Sequence, residues 1–189
     1  MTPPRFFGYG SLVNAATHDF PGVRPATLAG WRRVWVHTAL RPVAYLSVER
    51  HDGAGIEGLM AEVPDGDWVA LDARERAYDK HPVAVHLTAC GSPAEAQVYA
   101  VPTRHAAHPD TRHPVLLSYI DVVVQGYLRL FGEAGADRFF ATTAGWDIPV
   151  LDDRAAPRYP RHQALAPAER AFVDDRLAAT PAEVVRALP

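Results

Sequence analysis

A chain of 189 residues is long enough for one domain of ordinary size, burying roughly 70% of the surface its unfolded form exposes. With 48% apolar residues, 22% charged residues and a formal net charge of −3, it has the composition of a globular protein and not of a disordered or fibrous one. The 19 basic residues are interleaved with 22 acids, which argues against a nucleic-acid partner, since phosphate binding rests on clustered Lys and Arg. No window approaches the ~18 consecutive apolar residues of a membrane span, so no membrane partner is expected. Cys90 stands alone, which rules out an internal disulfide or a thiolate metal cluster built from one chain. Residues after Met1 run directly into a strand-like stretch without the charged and apolar regions of a signal peptide. The expected location is cytoplasmic.

In chain order, the first hundred residues read as short strands between turns. Phe6 to Tyr9 opens, followed by Leu28 to Leu40 with Trp31, Val34, Trp35 and Val36, then Val43 to Val48 and Gly55 to Val63. His81 to Leu87 alternates Val83, Val85 and Leu87 with Pro82, Ala84 and His86, and Ala96 to Val101 closes this half. One helix interrupts, from Trp68 to Tyr78, with Asp65 or Asp67 as N-cap. Thr103 to Pro114, rich in histidine and proline, reads as a surface loop. Apolar residues then recur every three or four positions from Val115 to Phe131, a helix that Gly132 terminates. Further helices are expected over Gly135 to Thr143, Pro167 to Leu177 and Pro181 to Leu188. Strands gathered first and helices later predict an α+β fold. Its expected form is a small mixed β-barrel with helices packed outside and a helical C-terminal extension. The whole of 1–189 is read as a single domain, with 1–102 the barrel core and 103–189 the loop and extension.

Three features carry chemistry. Gly8-Tyr9-Gly10-Ser11-Leu12 ends the first strand, and glycines two apart let a backbone bring its amides close to a ligand carboxylate or oxyanion. It lacks the Gly-Lys-Ser/Thr of a phosphate loop, the third glycine of a dinucleotide fingerprint and the second glycine of a nucleophile elbow. A tight turn leaving an edge strand explains it equally well. On the predicted helix, Trp68, Leu71, Glu75 and Tyr78 share one face, placing the Glu75 carboxylate among large apolar side chains, with Arg74 and Arg76 pointing away. The plainer alternative is a solvated charged face. The third feature, Trp146-Asp147, Leu151-Asp152-Asp153-Arg154 and Pro157-Arg158-Tyr159-Pro160-Arg161, is too polar for a core and too rigid for a linker. It reads either as a wrapped segment held by Asp–Arg pairs or as a substrate contact. His105, His108 and His113 have the spacing of a metal set without ordered elements beneath them, so no metal is assigned.

Taken in order, Phe7-Gly8-Tyr9-Gly10-Ser11-Leu12 and, about sixty-five residues later, Leu71-Asp72-Ala73-Arg74-Glu75-Arg76-Ala77-Tyr78 before a valine-rich strand resemble the γ-glutamylcyclotransferase-like family. The strand pattern extends the likeness over residues 5 to 102. Ser118-Tyr119, Gly145-Trp146-Asp147 and Leu151-Asp152-Asp153-Arg154 resemble its longer bacterial members less specifically. The resemblance implies an α+β barrel enclosing a cavity, Glu75 as catalytic acid/base, Tyr9, Gly10, Ser11 and Leu12 as the substrate loop, and Tyr78 beside the pocket. Leu12 stands where some members carry Asn, and Arg76 where many carry Gly. The implied reaction cyclises a γ-glutamyl group to 5-oxoproline and releases the attached amine, with no metal or organic cofactor required. The implied partner is a small-molecule γ-glutamyl substrate. A homodimer is left open, with Trp31 and Trp35 as contacts if exposed.

Two other classes compete. A non-catalytic binding module would keep the pocket for an amino-acid-like ligand, a reading that Leu12 and Arg76 favour. A hydrolase would use Ser11 with one of the histidines.

Overall fold

The computed structural model describes residues 3–108 and 111–186. Five strands pair around a closed circuit: β1 (Arg5–Gly8), β2 (Arg24–His37), β3 (Ala44–Glu62), β4 (Asp79–Leu87) and β5 (Pro93–Ala100). β1 lies antiparallel to β3 and parallel to β5, β5 and β4 are antiparallel, β4 pairs with β2, and β2 returns to β3. Closure gives each of these five strands a partner on both sides, which is how a strand-rich core limits pairing with another chain.

Two sequence-level expectations change here. The separate strands 43–48 and 55–63 are one continuous β3, with Gly53 in a left-handed conformation within the stretch between Arg50 and Gly55 that the β2 ladder skips. In β2 the buried positions are Ala26 and Leu28, then Trp31, Arg33 and Trp35, so the inward phase slips by one residue. The slip coincides with a register shift between Ala29 and Trp31, whose partners on β3 are Gly55 and Arg50, an irregularity that re-phases the pleat. Trp31 and Trp35 are therefore core residues and not exposed subunit contacts.

α1 (Val69–Arg74) is shorter than the helix expected over 68–78, ending before Glu75. Asp67 accepts the Val69 N–H at 3.0 Å and so supports its start. β6 (Val115–Leu116) leads into α2 (Leu117–Thr142), broken at Gly132, whose φ of 67° a right-handed helix excludes. The expected stop and the second helix after it are thus both present. The first half of α2 is buried nearly all round, from Leu117 and Ser118 through Tyr127, because the barrel covers one side and the C-terminal segments cover the other.

Beyond it come β7 (Thr143–Ala144), which pairs with β2, then β8 (Pro149–Leu151), α3 (Pro167–Ala178) and β9 (Glu183–Val185). β6, β8 and β9 form a small parallel sheet. The helix expected over Pro181 to Leu188 is therefore wrong through residue 186, and residues 187 and 188 lie outside those described. Proline at its start resembled a helix N1, but pairing of Val184 with Val150 overrides that local signal. Residues 109 and 110 of the histidine-rich loop also fall outside. Among the described residues no helix is long and apolar enough to cross a membrane.

Candidate active site

A cavity of about 640 Å³ opens at the end of β1 and is lined by the β1 turn, the residues after α1, part of β3, the start of α2 and residues 158–161. Tyr9, Gly10, Ser11, Leu12, Glu75 and Tyr78 all line it. The two motifs, far apart in sequence, meet there.

The β1 turn continues as a short 3-10 helix over Ser11–Val13, with the Val13 N–H bonded to the Gly10 carbonyl at 2.8 Å. Gly10 is needed for close approach: a Cβ there would lie 2.6 Å from the Tyr119 hydroxyl. That same hydroxyl lies beside the Ser11 backbone. From behind, α2 fixes the turn. Asn14 donates to the Val122 carbonyl at 2.9 Å and to the Gln125 side chain at 3.0 Å, and Gly126 makes room, since a Cβ there would lie 2.7 Å from the Asn14 nitrogen.

The side chains of this turn are less free than their position suggests. Tyr9 is buried and gives its hydroxyl to the Tyr99 carbonyl at 2.6 Å, and Leu12 packs into the core. What the turn offers a ligand is chiefly backbone and the Ser11 hydroxyl. Tyr78 lines the wall while its hydroxyl donates to the Leu46 carbonyl at 3.1 Å, bracing the segment after α1 against β3. Burial pushes the hydroxyls of Tyr9, Tyr78 and Tyr119 far up, so all three stay protonated donors.

Glu75 caps the C-terminus of α1, its N–H bonded to the Leu71 carbonyl at 2.9 Å, and its side chain is 14% exposed. Burial raises its pKa above the ordinary carboxylate range, and the nearby charges of Arg74 and Arg161 hold back part of that rise. Arg74 corrects the expectation that it faces away. Its side chain is 7% exposed, lies 3.3 Å from the Glu75 carboxylate, and donates to Ser11 Oγ at 3.1 Å and to Thr17 at both carbonyl and hydroxyl. It ties the acid to the turn. The helix ends at Arg74, so the helical face drawn through Trp68, Leu71, Glu75 and Tyr78 does not extend to Glu75 and Tyr78. Arg76 is exposed at the rim.

The Ser11 hydroxyl thus faces a guanidinium, which cannot take its proton as a hydrolase would require. His105 belongs to an ordered wall: it lines the cavity and its ring bonds the Ala77 carbonyl at 2.9 Å. Among the described residues no group of three or more His, Cys, Asp or Glu is placed to hold a metal.

The polar segment near the C-terminus is the wrapped segment held by Asp–Arg pairs that the sequence allowed, and its end lines the cavity. Asp153, buried, accepts the Ser118 N–H at 2.8 Å, the Ser118 hydroxyl at 2.6 Å and the Arg158 N–H at 2.8 Å. Arg154 forms a two-pronged pair with Asp121 on α2, at 2.8 and 2.6 Å. Held in this way, Arg158, Tyr159, Pro160 and Arg161 reach the cavity, with Tyr159 edge-on to Tyr119 at 5.0 Å.

Residues 6–118 match the family model described as gamma-glutamyl cyclotransferase, AIG2-like. Among solved structures the chain is similar to one named gamma-glutamyl cyclotransferase and to an uncharacterized protein from Homo sapiens. Each is 12% identical, with a TM-score of 0.61 over 92% of this chain and 99% of that one. It is also similar to YkqA from Bacillus subtilis, 21% identical, with a TM-score of 0.54 over 77% of this chain and 57% of that one. At such identities the likeness is one of fold. No curated protein sequence matches the chain.

Proposed function

The chain belongs to the gamma-glutamyl cyclotransferase, AIG2-like family, and from that premise we propose that it cyclises γ-glutamyl compounds to 5-oxoproline with release of the attached amine. The observation that carries this reading is the position of Glu75, a carboxylate made more basic by burial in the same cavity as the Tyr9–Leu12 turn.

The chemistry follows from what each group can do. At neutral pH the substrate's α-amino group is an ammonium and cannot attack. An ordinary carboxylate is too weak a base for it, and the raised Glu75 narrows that gap. Glu75 takes one proton, and the freed amine attacks its own γ-carbonyl carbon, closing a five-membered ring through a tetrahedral oxyanion. Collapse breaks the bond to the departing nitrogen, which receives the proton from Glu75. The ring nitrogen sheds its second surplus proton, and the released amine ends as an ammonium, so protons balance. Both reacting groups belong to one molecule, and the walls have only to hold the chain folded. The turn backbone, with the Tyr119 hydroxyl beside it, is suited to the substrate's α-carboxylate or the oxyanion. Arg74 ties Glu75 to Ser11, and its charge offsets part of the rise that burial gives the Glu75 pKa.

The test is release of 5-oxoproline from a panel of γ-glutamyl amino acids, peptides and amines by the wild-type protein and by Glu75→Gln. The expected loss is roughly 10²–10⁴-fold in kcat, the usual value of a positioned acid/base. A fully active Glu75→Gln protein would falsify the mechanism. Binding of the panel without product from wild type would instead support the non-catalytic module.

A further inference from the structure

The cavity wall is unbalanced in charge. Arg41, Arg74, Arg76, Arg158 and Arg161 line it, and Glu75 is the sole carboxylate among the described lining residues. Arg74 is satisfied by Glu75, Ser11 and Thr17. Among the described residues, no acid lies within ion-pair distance of Arg158 or Arg161, and both are solvent-exposed. They are nonetheless not loose surface arginines. The backbone that carries them is clamped to buried Asp153 and Ser118, with the Arg158 N–H at 2.8 Å from Asp153 and the Tyr159 N–H at 3.3 Å from Ser118 Oγ. Arg161 is near enough for its charge to act on Glu75 and Arg74. A clamped segment thus presents two guanidinium groups to a cavity whose one carboxylate among the described lining residues, Glu75, is already held by Arg74.

A γ-glutamyl group brings no net charge, since its α-ammonium and α-carboxylate cancel. A substrate with a neutral departing half would leave the arginines unanswered. A carboxylate matches their planar donor geometry. We propose that Arg158 and Arg161 form a carboxylate subsite for the half of the substrate that is released, so that the chain acts on γ-glutamyl compounds whose departing amine carries a free carboxylate. This rests on the cyclotransferase reading above. The segment lies beyond residues 6–118, the part that matches the family model. Selectivity for the departing half thus comes from the chain's own C-terminal half.

The experiment compares γ-glutamyl-glycine with γ-glutamyl-glycinamide, which differ by one carboxylate, by calorimetric binding to Glu75→Gln so that neither is turned over. The acid should bind about tenfold tighter or more. In Arg158→Ala/Arg161→Ala on the same background the two affinities should converge, with the melting temperature unchanged because neither guanidinium is an ion-pair partner. Equal binding of acid and amide to the parent would overturn the proposal. So would an equal loss of both in the arginine variant, which would assign those residues to the glutamyl half. Release of 5-oxoproline by wild type is read separately. Its absence from both compounds, with the binding preference intact, would sink the cyclotransferase reading and leave the subsite standing.

Discussion

The Tyr127 hydroxyl lies 2.9 Å from the backbone carbonyl of Tyr9, reaching from the middle of α2 to the turn that lines the cavity. The same oxygen is 2.7 Å from the Glu57 carbonyl and accepts from Arg33 at 2.9 Å. Arg33 is 1% exposed, and among the described residues no carboxylate pairs with its guanidinium: it donates to Thr142, Thr143, the Glu57 carbonyl and Tyr127 and lies beside the stacked Tyr127 and Phe139 rings, 5.2 Å from each centroid. A buried charge is tolerated only when its donors are met. Tyr127 completes that set while pinning the turn.

Tyr127→Phe should therefore cost more than one hydrogen bond. It removes the single O–H that the Tyr9 and Glu57 carbonyls share and an acceptor from a buried arginine, a loss of about 1–3 kcal/mol. Burial pushes the Tyr127 pKa up to about 12, so the hydroxyl remains a donor across the ordinary pH range. The expected result is a lower urea midpoint, with the deficit constant between neutral and mildly alkaline pH. An unchanged midpoint would show that the arginine is satisfied without it.

Glu75 gives a pH-dependent prediction whose sign follows from burial. Its pKa is higher in the folded chain than in the unfolded one, so the fold holds this proton more tightly. That preference contributes stability below the ordinary carboxylate pKa and is lost as pH rises through the raised value. Wild type should consequently lose stability relative to Glu75→Gln over the mildly acidic range, with the variant matching or exceeding it at neutral pH. Melting temperatures of the two proteins from pH 4 to 8 provide the check. A neutral-pH wild type clearly more stable than the variant would mean that the Arg74 pair outweighs desolvation. The same titration sets activity: kcat/KM should rise with pH as Glu75 ionises, and Arg161→Ala, which removes a charge holding its pKa down, should move that rise to higher pH.

Much of this site was legible in sequence, and the parts that were not share a cause. The glycine turn and Glu75 stand out because each is a local pattern at a strand or helix end. The inward turn of Arg74 was hidden because α1 lasts only from Val69 to Arg74, so the helical periodicity used to assign faces fails where it is needed. Asn14 bonding Val122, and Asp153 bonding Ser118, join residues that no local period relates. A polar cluster such as 151–161 announces that it must bond to something, but not to what. Likewise the barrel was readable from alternation and turns, whereas the small parallel sheet was not. Its strands are two or three residues long, too short to show a period.

Gly10 and Tyr119 should be energetically coupled. In Gly10→Ala the new Cβ would meet the Tyr119 hydroxyl at 2.6 Å, and moving that ring disturbs its packing against Trp35 and Tyr159. Overpacking of this kind costs about 1–3 kcal/mol. Tyr119→Phe removes the offending oxygen, so the cost of Gly10→Ala should shrink in that background. A double-mutant cycle on stability and on kcat/KM reads the coupling. Strict additivity would show that the clash is relieved elsewhere.

Asp153 supports the wall from a distance, and its loss should separate binding from chemistry. Asp153→Ala leaves the Ser118 N–H, the Ser118 hydroxyl and the Arg158 N–H without their acceptor, a loss of about 3 kcal/mol for a buried network. Ser118→Ala deletes only the hydroxyl and leaves Asp153 its two backbone partners, so it should cost about 1 kcal/mol. Because the clamp positions residues 158–161 and not Glu75, KM for γ-glutamyl substrates should rise in both variants while kcat changes less. The comparison is made at a temperature where each remains folded by circular dichroism. A fall in kcat with KM unchanged would mean that the segment acts on the reacting atoms and not on the hold of the substrate.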